Sequence, residues 1–150
     1  MPHSYVSNLM HCVFSTNERL PLITPELESR LWPYLGGIAR ENKMKAIAIG
    51  GTMDHVHALL SLPATMNFAK AVQLIKGGSS KWIHDAFGEH VKFAWQEGYA
   101  GLSVSQSQRG VVMRYIANQP EHHRKRSFED EFVALLEKCG IRYDPKYVFG

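Results

Sequence analysis

The chain contains 150 residues, of which 45% are hydrophobic and 21% charged, and this balance excludes an intrinsically disordered protein. Its length suits one compact domain covering residues 1–150. No apolar run approaches the roughly 20 residues that cross a bilayer, and residues 1–8 lack the pattern of a signal peptide, so we expect a cytoplasmic protein.

Charge and cysteine content exclude few functional classes of protein. The formal net charge of +3 mildly favours an anionic partner, although many ordinary enzymes have a similar balance. Cys12 and Cys139 lie far apart and neither belongs to a C-x-x-C pair, which argues against a disulfide framework or a zinc knuckle. We therefore expect two reduced thiols.

The first third of the chain predicts a strand followed by a helix. Residues 5–15 are rich in strand formers and become almost continuously apolar, as in a central strand. Thr24 and Pro25 are typical of a helix start, and the helix should run to about Asn42. Pro33 and the glycine pair at 36–37 predict a kink or a break within it.

The middle of the chain predicts a hairpin and a second helix. Residues 45–49 and 54–62 read as strands joined by a turn at Gly50 and Gly51. Residues 67–87 carry an amphipathic helical pattern, which we expect to bend at the glycine pair at 77–78.

The last third predicts one further strand and two helices. Residues 91–105 should form a strand, a loop and a short extended piece, and residues 108–119 and 128–139 should be helical. The resulting order is typical of an α+β fold: a ferredoxin-like split βαβ antiparallel sheet with helices on one face, plus additional C-terminal helices. This architecture hosts many functions and does not identify the chemistry.

An H-x-H pair is the first candidate for chemistry. His55 and His57 fall on the same face of a predicted strand, about 7 Å apart, so their ring nitrogens could converge on one metal ion. Two hydrogen-bonded or surface histidines are the alternative. Asp54 could orient an imidazole by a hydrogen bond, or could simply occupy the turn.

Tyr115 and Gln119 lie four residues apart on a predicted helix and could therefore reach the same site. A tyrosine phenol suits reversible phosphoryl transfer, because it leaves more readily than an alkoxide. The amide oxygen of Gln119 could be a third metal ligand, although Pro120 disfavours helical geometry at that position. Alternatively, Tyr115 packs in the helix interface and Gln119 is exposed to solvent.

Two basic segments could bind a DNA backbone. One comprises small and cationic residues, namely Lys76, Ser79, Ser80 and Lys81, and the other consists of Arg124, Lys125 and Arg126. Ordinary solvated surface is the competing interpretation for both. Trp95 and Tyr99 could stack on unpaired bases, but aromatic residues beside a strand usually belong to the core.

Five sequence blocks occur together in one order: H-C-V-F-S-T at 11–16, D-H-V-H at 54–57, L-I-K-G-G-S-S at 74–80, W-Q-E-G-Y at 95–99 and Y-I-A-N-Q-P-E-H-H at 115–123. Together they resemble the single-tyrosine HUH transposases, the TnpA-like family of insertion sequences and its REP-associated relatives. The joint occurrence of the blocks is far more specific than any one of them.

The resemblance implies a homodimer that binds hairpin DNA and cuts the adjacent single strand with Mg²⁺ or Mn²⁺. It implies that His55, His57 and Gln119 bind the metal and that Tyr115 forms a 5′-phosphotyrosine, leaving a free 3′-OH. Tyr115 could complete the site of the partner subunit. Two alternatives stay open: a domesticated hairpin-binding protein that no longer cuts, and a metal-dependent phosphodiesterase in which water attacks and Tyr115 is structural.

Overall fold

A computed structural model describes residues 4–88 and 92–149. The strands and helices follow one another in the predicted order, except that the third helix is divided. They are β1 (Leu9–Ser15), α1 (Pro25–Glu41), β2 (Lys45–Thr52), β3 (His55–Ser61), α2 (Phe68–Ala86), β4 (Ala100–Val104), α3 (Arg109–Ala117), the single turn α4 (Gln119–His122) and α5 (Phe128–Lys138). No helix in the described ranges is long and apolar enough to cross a membrane.

The four strands form one sheet in the order β2-β3-β1-β4, and every neighbouring pair is antiparallel. Each βαβ unit therefore places its helix between two strands that are not neighbours, which is the split βαβ arrangement. The α+β class and the ferredoxin-like sheet are confirmed.

One face of the sheet is covered by α1 and α2 and forms the main apolar core. Alternation along the strands directs Phe14, Val56 and Leu60 to this face, where they are fully buried. They pack against the apolar stripes of both helices, which include Leu31 and Ile75. Side-chain caps start these helices: Thr24 accepts a hydrogen bond from the Leu27 amide and Asn67 accepts one from the Lys70 amide.

The opposite face carries the polar residues and lies beneath the C-terminal helices. Leu9, Leu59 and Ile116 form one small cluster on this side, and Val13 packs with Phe128 and others of α5 in a second. Between the two clusters, the buried side chains are polar. The extra helices predicted at the C-terminus therefore cover the second face of the sheet.

The predicted turn at Gly50 and Gly51 is wrong, because both residues lie within β2 and the turn is at Met53 and Asp54. Glycine is needed there for close approach: a Cβ on Gly50 would lie 2.6 Å from the Ile116 carbonyl oxygen, and one on Gly51 would lie 2.1 Å from that of His55. Gly50 thus lets α3 pack directly on the sheet.

The predicted interruptions of the first two helices are not observed. The helix α1 runs continuously through Pro33, which is exposed, and it is held by the buried stripe on its inner side. The helix α2 runs continuously through Gly77 and Gly78. A Cβ on Gly78 would lie 3.1 Å from Cδ1 of Ile38, so this glycine accommodates the contact between α1 and α2.

The predicted helix over residues 108–119 is divided instead. The helix α3 ends at Ala117, and Gln119 begins the separate turn α4, which contains Pro120. Proline cannot donate a backbone hydrogen bond and disfavours helical geometry in the residue before it, which accounts for the break. Val91 of the predicted segment 91–105 lies outside the described residues, and Trp95 forms only an isolated bridge with Thr16 before β4 begins.

Candidate active site

His55 and His57 lie side by side on β3 and are both fully buried. They point to the polar face of the sheet, as strand alternation predicts, and their ring centroids are 5.2 Å apart. The pair is thus enclosed between the sheet and the C-terminal helices, because the apolar clusters on either side exclude solvent from it.

Glu131 of α5 lies at the centre of this polar region. Its carboxylate is 1% exposed. Oε1 lies 2.9 Å from Nε2 of His57 and 3.7 Å from Nε2 of His55. Oε2 accepts a hydrogen bond of 2.8 Å from the amide nitrogen of Gln119 and another from the phenol of Tyr115. One carboxylate therefore connects the strand, α3, α4 and α5.

Tyr115 and Gln119 approach the histidines from the helical side. Gln119 is fully buried, and its Oε1 lies 2.8 Å from Nε2 of His55. Tyr115 is half-buried, with its ring 5.7 Å from that of His57 in an edge arrangement. The structure brings together all four residues selected for the metal and the nucleophile, and all four belong to the same chain.

The hydrogen-bond network shifts the pKa values of its central groups in opposite directions. Burial alone would raise the pKa of Glu131, but hydrogen bonds from His123, His57 and Tyr115 outweigh it and hold that pKa well below its usual range. Burial and the neighbouring Glu131 raise the pKa of Tyr115. The phenol is therefore protonated at neutral pH and donates to an ionised carboxylate.

Two further histidines surround the site. Nε2 of His11 on β1 lies 2.7 Å from Nδ1 of His57, and Nε2 of His123 lies 3.0 Å from Oε1 of Glu131. Burial, followed by the positive charge that His57 could carry, lowers the pKa of His11 to about 3, so this ring is neutral. Burial also lowers the pKa of His57, whereas Glu131 raises that of His123 in spite of partial burial.

Asp54 fixes the other side of His55. Its Oδ1 lies 2.7 Å from Nδ1 of His55 and accepts a hydrogen bond of 3.0 Å from the Thr52 hydroxyl. Burial opposes ionisation of Asp54, but the bond with His55 outweighs it and lowers the pKa of the carboxyl. Asp54 therefore occupies the turn and orients the imidazole, so both predicted roles are combined.

The donor atoms fit a divalent cation. One nitrogen or oxygen atom from each of His55, His57 and Glu131 lies within 4.8 Å of the others. Nε2 of His55 also lies 2.8 Å from Oε1 of Gln119. If the hydrogen of His55 is on Nδ1, which lies 2.7 Å from Asp54, both Nε2 and Oε1 have lone pairs that could bind the cation.

The first predicted DNA-binding segment is largely engaged within the fold. Ser79 is fully buried, where its hydroxyl donates to the Ile75 carbonyl and accepts from the Trp95 indole. The ammonium of Lys76 binds the carbonyl oxygens of Gln96, Glu97 and Gly98. Because Ser79 is fully buried, its hydroxyl cannot contact DNA.

The remaining predicted DNA contacts are more accessible. Lys81 is exposed and pairs with Asp85 at 3.0 Å, and Ser80 beside it is half-buried. The exposed residues between α4 and α5 are Arg124, Lys125 and Arg126. Arg124 and Arg126 also line a groove of about 460 Å³ that reaches Asp54 and His123. This second segment is therefore adjacent to the candidate active site.

The two aromatic residues proposed for base stacking have different environments. Trp95 is buried between Phe14 and Phe93, with ring centroids 4.8 and 4.7 Å away, and belongs to the core. Tyr99 is 40% exposed and touches Phe68 with one edge. Only Tyr99 retains a face that a base could reach.

Sequence analysis did not select Glu131, His11 or His123 individually. Glu131 had a detectable signal, because it interrupts the apolar stripe formed by Phe128, Phe132 and Leu136 at helical spacing. His11 and His123 lay inside the recognised blocks, but their contacts depend on strand pairing and helix packing. Local spacing carries no information on such contacts.

Comparison with known families agrees with this geometry. Residues 4–119 match the family model described as Transposase IS200 like. This range includes His55, His57, Tyr115 and Gln119, and it ends before α5. The match covers more than half of the chain.

Individual relatives point the same way. The ISDra2 transposase TnpA of Deinococcus radiodurans is 26% identical over 114 residues, covering 73% of this chain and 81% of that protein. A crystal structure from Deinococcus radiodurans described as a transposase superposes with a TM-score of 0.63 at 26% identity, covering 79% of this chain and 96% of the other.

A REP-associated tyrosine transposase, solved bound to a REP hairpin, shares the fold with a TM-score of 0.59 at 19% identity, covering 82% of this chain and 73% of its own. On the family match, supported by these relatives and by the antiparallel sheet, the chain belongs to the IS200-like transposases, a family of DNA transposases.

Proposed function

We propose that this transposase binds hairpin DNA and cleaves and rejoins single-stranded DNA through a 5′-phosphotyrosine on Tyr115, with Mg²⁺ or Mn²⁺ as cofactor. The main support for this proposal is that Tyr115, Gln119 and both strand histidines meet around the Glu131 carboxylate. These polar residues come from distant parts of the chain and are brought together by the fold.

His55, His57 and Gln119 would hold the cation, with Oε1 of Glu131 as an additional oxygen ligand. Two imidazoles with amide and carboxylate oxygens suit Mn²⁺ or Mg²⁺ and leave room for phosphate. A divalent cation at this position would polarise a non-bridging phosphate oxygen and stabilise the charge that develops there. Asp54 keeps the His55 ring directed at the site.

Tyr115 supplies the nucleophile. Its oxygen forms a bond to the 5′ phosphorus while the bond from phosphorus to the 3′ oxygen breaks and the departing strand takes up a proton as its 3′-OH. The phenolic proton passes to Oε2 of Glu131, which already accepts it in a hydrogen bond. Because the pKa of Tyr115 is raised, the phenol holds its proton until a substrate binds, and Glu131 is placed to accept that proton during attack on phosphorus.

The basic residues between α4 and α5 would guide the strand to the site. Arg124 and Arg126 line the groove that reaches His123 and Asp54, so a DNA backbone lying there would pass beside His123, whose ring is hydrogen-bonded to Glu131. Lys125 lies on the adjoining surface with Arg126. Lys81 and Ser80 belong to α2, on the other side of the sheet, and would contact a more distant part of the DNA. The structure of a relative bound to a REP hairpin supports hairpin DNA as the ligand.

Tyr115→Phe tests the proposal directly. The variant should form no covalent adduct with a cut oligonucleotide, because phenylalanine has no oxygen nucleophile, yet it should bind hairpin DNA normally. Denaturing gels with 5′- and 3′-labelled strands measure the adduct, and Tyr147→Phe, which changes an exposed tyrosine, is the matched control. Normal cleavage by Tyr115→Phe would indicate attack by water, and binding without cleavage by the unmodified protein would indicate a domesticated DNA-binding protein.

The hydrogen bond from Tyr115 to Glu131 of its own chain supports action of Tyr115 within one subunit. The homodimer stays a prediction, and we propose that Tyr115 acts in its own subunit. A mixture of Tyr115→Phe and His57→Ala proteins should then show no cleavage. Recovered cleavage in the mixture would demonstrate exchange of Tyr115 between subunits.

A further inference from the structure

We propose that His11 is a positioning residue for the metal centre: when a cation is bound, its Nε2 would accept the Nδ1–H of His57 and so leave the Nε2 lone pair of His57 directed at the cation. The proposal rests on the proposed function in one respect, since it takes His57 as a metal ligand. It assigns a specific task to a buried histidine that takes no direct part in the reaction.

Strand pairing places the two rings together. In the register of β1 with β3, Val13 pairs with His57 and His11 pairs with Leu59, so the two histidines are diagonal neighbours on the same face. Their ring centroids are 5.0 Å apart and the nitrogens are 2.7 Å apart. His11 is 4% exposed and His57 is fully buried, so bulk water does not compete for this bond.

Hydrogen accounting limits the pair to two arrangements when both rings are neutral, because each ring carries one N–H. In the first, His11 Nε2–H donates to His57 Nδ1, and His57 Nε2–H donates to Oε1 of Glu131 at 2.9 Å. In the second, His57 Nδ1–H donates to His11 Nε2, and His57 Nε2 carries a lone pair. Only the second arrangement leaves His57 able to bind a cation.

An imidazole is the partner that supports both arrangements. A carboxylate or carbonyl oxygen at the position of His11 could only accept, and would hold the His57 hydrogen on Nδ1 permanently. With His11, exchange between the arrangements moves one proton from His11 Nε2 to His57 Nδ1. One proton leaves His57 Nε2 for solvent and another reaches His11 Nδ1 from solvent, so both rings stay neutral.

The hydrogen bonding of His11 favours this assignment over a purely structural role. Both rings lie nearly perpendicular to the ring of Tyr115, at centroid distances of 6.1 Å for His11 and 5.7 Å for His57. Within the described ranges, the contact with Nδ1 of His57 is the one hydrogen bond that the His11 side chain makes. A leucine of similar volume would fill the same space but would accept no hydrogen bond.

Binding of Mn²⁺ to the full-length protein, measured by calorimetry, tests the proposal in three variants. His11→Leu removes the acceptor and should weaken Mn²⁺ binding by about 10- to 100-fold. His11→Gln retains an oxygen acceptor near the same place and should restore most of the affinity. Cys12→Ala, on the other face of β1, should bind Mn²⁺ like the unmodified protein and controls for general weakening of the strand.

The tautomers provide a second measurement that a structural role would not affect. Nitrogen NMR of the protein saturated with Mg²⁺ should find the His57 hydrogen on Nδ1 and the His11 hydrogen on Nδ1. A hydrogen on Nε2 of either ring in that state would overturn the proposal.

These experiments distinguish failure of the proposed role of His11 from failure of the proposed metal centre. If His11→Leu is folded and binds Mn²⁺ as tightly as the unmodified protein, the role of His11 is refuted while the metal centre stands. If the unmodified protein binds no divalent cation and still forms the Tyr115 adduct, the metal centre itself is refuted, and the role of His11 with it.

Discussion

The two faces of the sheet bury similar strands beneath helices but in different chemical environments. The face under α1 and α2 is apolar, and residues such as Phe14, Val56 and Leu60 require only close packing. The face under the C-terminal helices buries His11, His57 and Glu131, each of which has a hydrogen-bond partner. Burying such groups costs free energy unless every one is hydrogen-bonded, so the polar face depends on its complete network of partners as well as on packing.

Removing the acceptor at the centre of the polar face should have the largest effect on chemistry. Glu131→Gln leaves the phenol of Tyr115 without a carboxylate to take its proton, and adduct formation should slow by roughly 10²- to 10⁴-fold. Single-turnover cleavage of a labelled oligonucleotide measures the rate. Asp130→Asn, an exposed position on the same helix, should cleave at the normal rate, and equal rates for both variants would contradict a role for Glu131.

A cavity in the apolar face should lower the stability of the protein and leave the rate of cleavage almost unchanged. Leu60→Ala removes a fully buried side chain from the core and should lower the free energy of unfolding by about 2–5 kcal/mol. Urea unfolding measures that loss. Cleavage per folded molecule should be almost unchanged at low temperature, because Leu60 points away from the site. A large loss of activity in fully folded protein would show that the two faces are coupled.

Buried groups on both faces should make stability depend on pH, and His11 and Cys12 should contribute at opposite ends of the pH scale. Burial lowers the pKa of His11 from 6.5 to about 3, so below pH 6.5 the unfolded chain binds a proton that the folded chain excludes. Stability should therefore fall as pH drops through this window, by up to roughly 1.4 kcal/mol per pH unit. Burial raises the pKa of Cys12 from 9.0 to about 12, so stability should fall as pH rises above 9.0.

Urea unfolding in the presence of a chelator, repeated across both windows, measures these slopes. His11→Leu should reduce the slope on the acid side, to which Glu131 and Asp54 also contribute. Cys12→Ala should reduce the slope on the alkaline side, to which Tyr115 also contributes. Slopes equal to those of the unmodified protein in both variants would contradict the pKa shifts of His11 and Cys12.

Removing a single surface charge should have the smallest effect, a modest loss of affinity for hairpin DNA. Arg126→Ala should weaken hairpin binding modestly and reduce the dependence of log affinity on log salt by about 0.9, the value for one lost phosphate contact. Lys81→Ala, on α2 behind the apolar face, should change the salt dependence less, because Lys81 does not line the groove that reaches His123 and Asp54. Fluorescence titrations over a series of salt concentrations measure both slopes, and a larger change for Lys81 would reverse the proposed orientation of the DNA.

Much of the site was accessible from local sequence. Strand alternation alone predicted that His55 and His57 share a face, and the spacing of Tyr115 and Gln119 predicted a common target. Pro120 indicated irregular geometry at Gln119, and the structure shows that Gln119 begins the separate turn α4. Glu131 was overlooked because it lies in an ordinary acidic helix start, and its importance depends on which surface that helix covers.

Errors in the fold came from glycine and proline. Gly50, Gly51 and Gly78 were interpreted as breaks in local structure, whereas they permit close contacts with other segments. Pro33 and the glycine pair at 36–37 were expected to kink or break α1, and no break occurs, because the buried stripe on the inner side holds the helix continuous. A glycine or a proline in a predicted helix or strand can mark either a break or a close contact, and the tertiary structure determines which of the two occurs.

By itself, the sequence determined the order of strands and helices, the shared face of the two histidines and the family resemblance, because these depend on spacing along the chain. Only the tertiary structure decided that Glu131 joins Tyr115 to the histidines and that His11 contacts His57. Those contacts join residues far apart in sequence, and they exist because strand pairing and the packing of α5 bring the residues together in a region shielded from water.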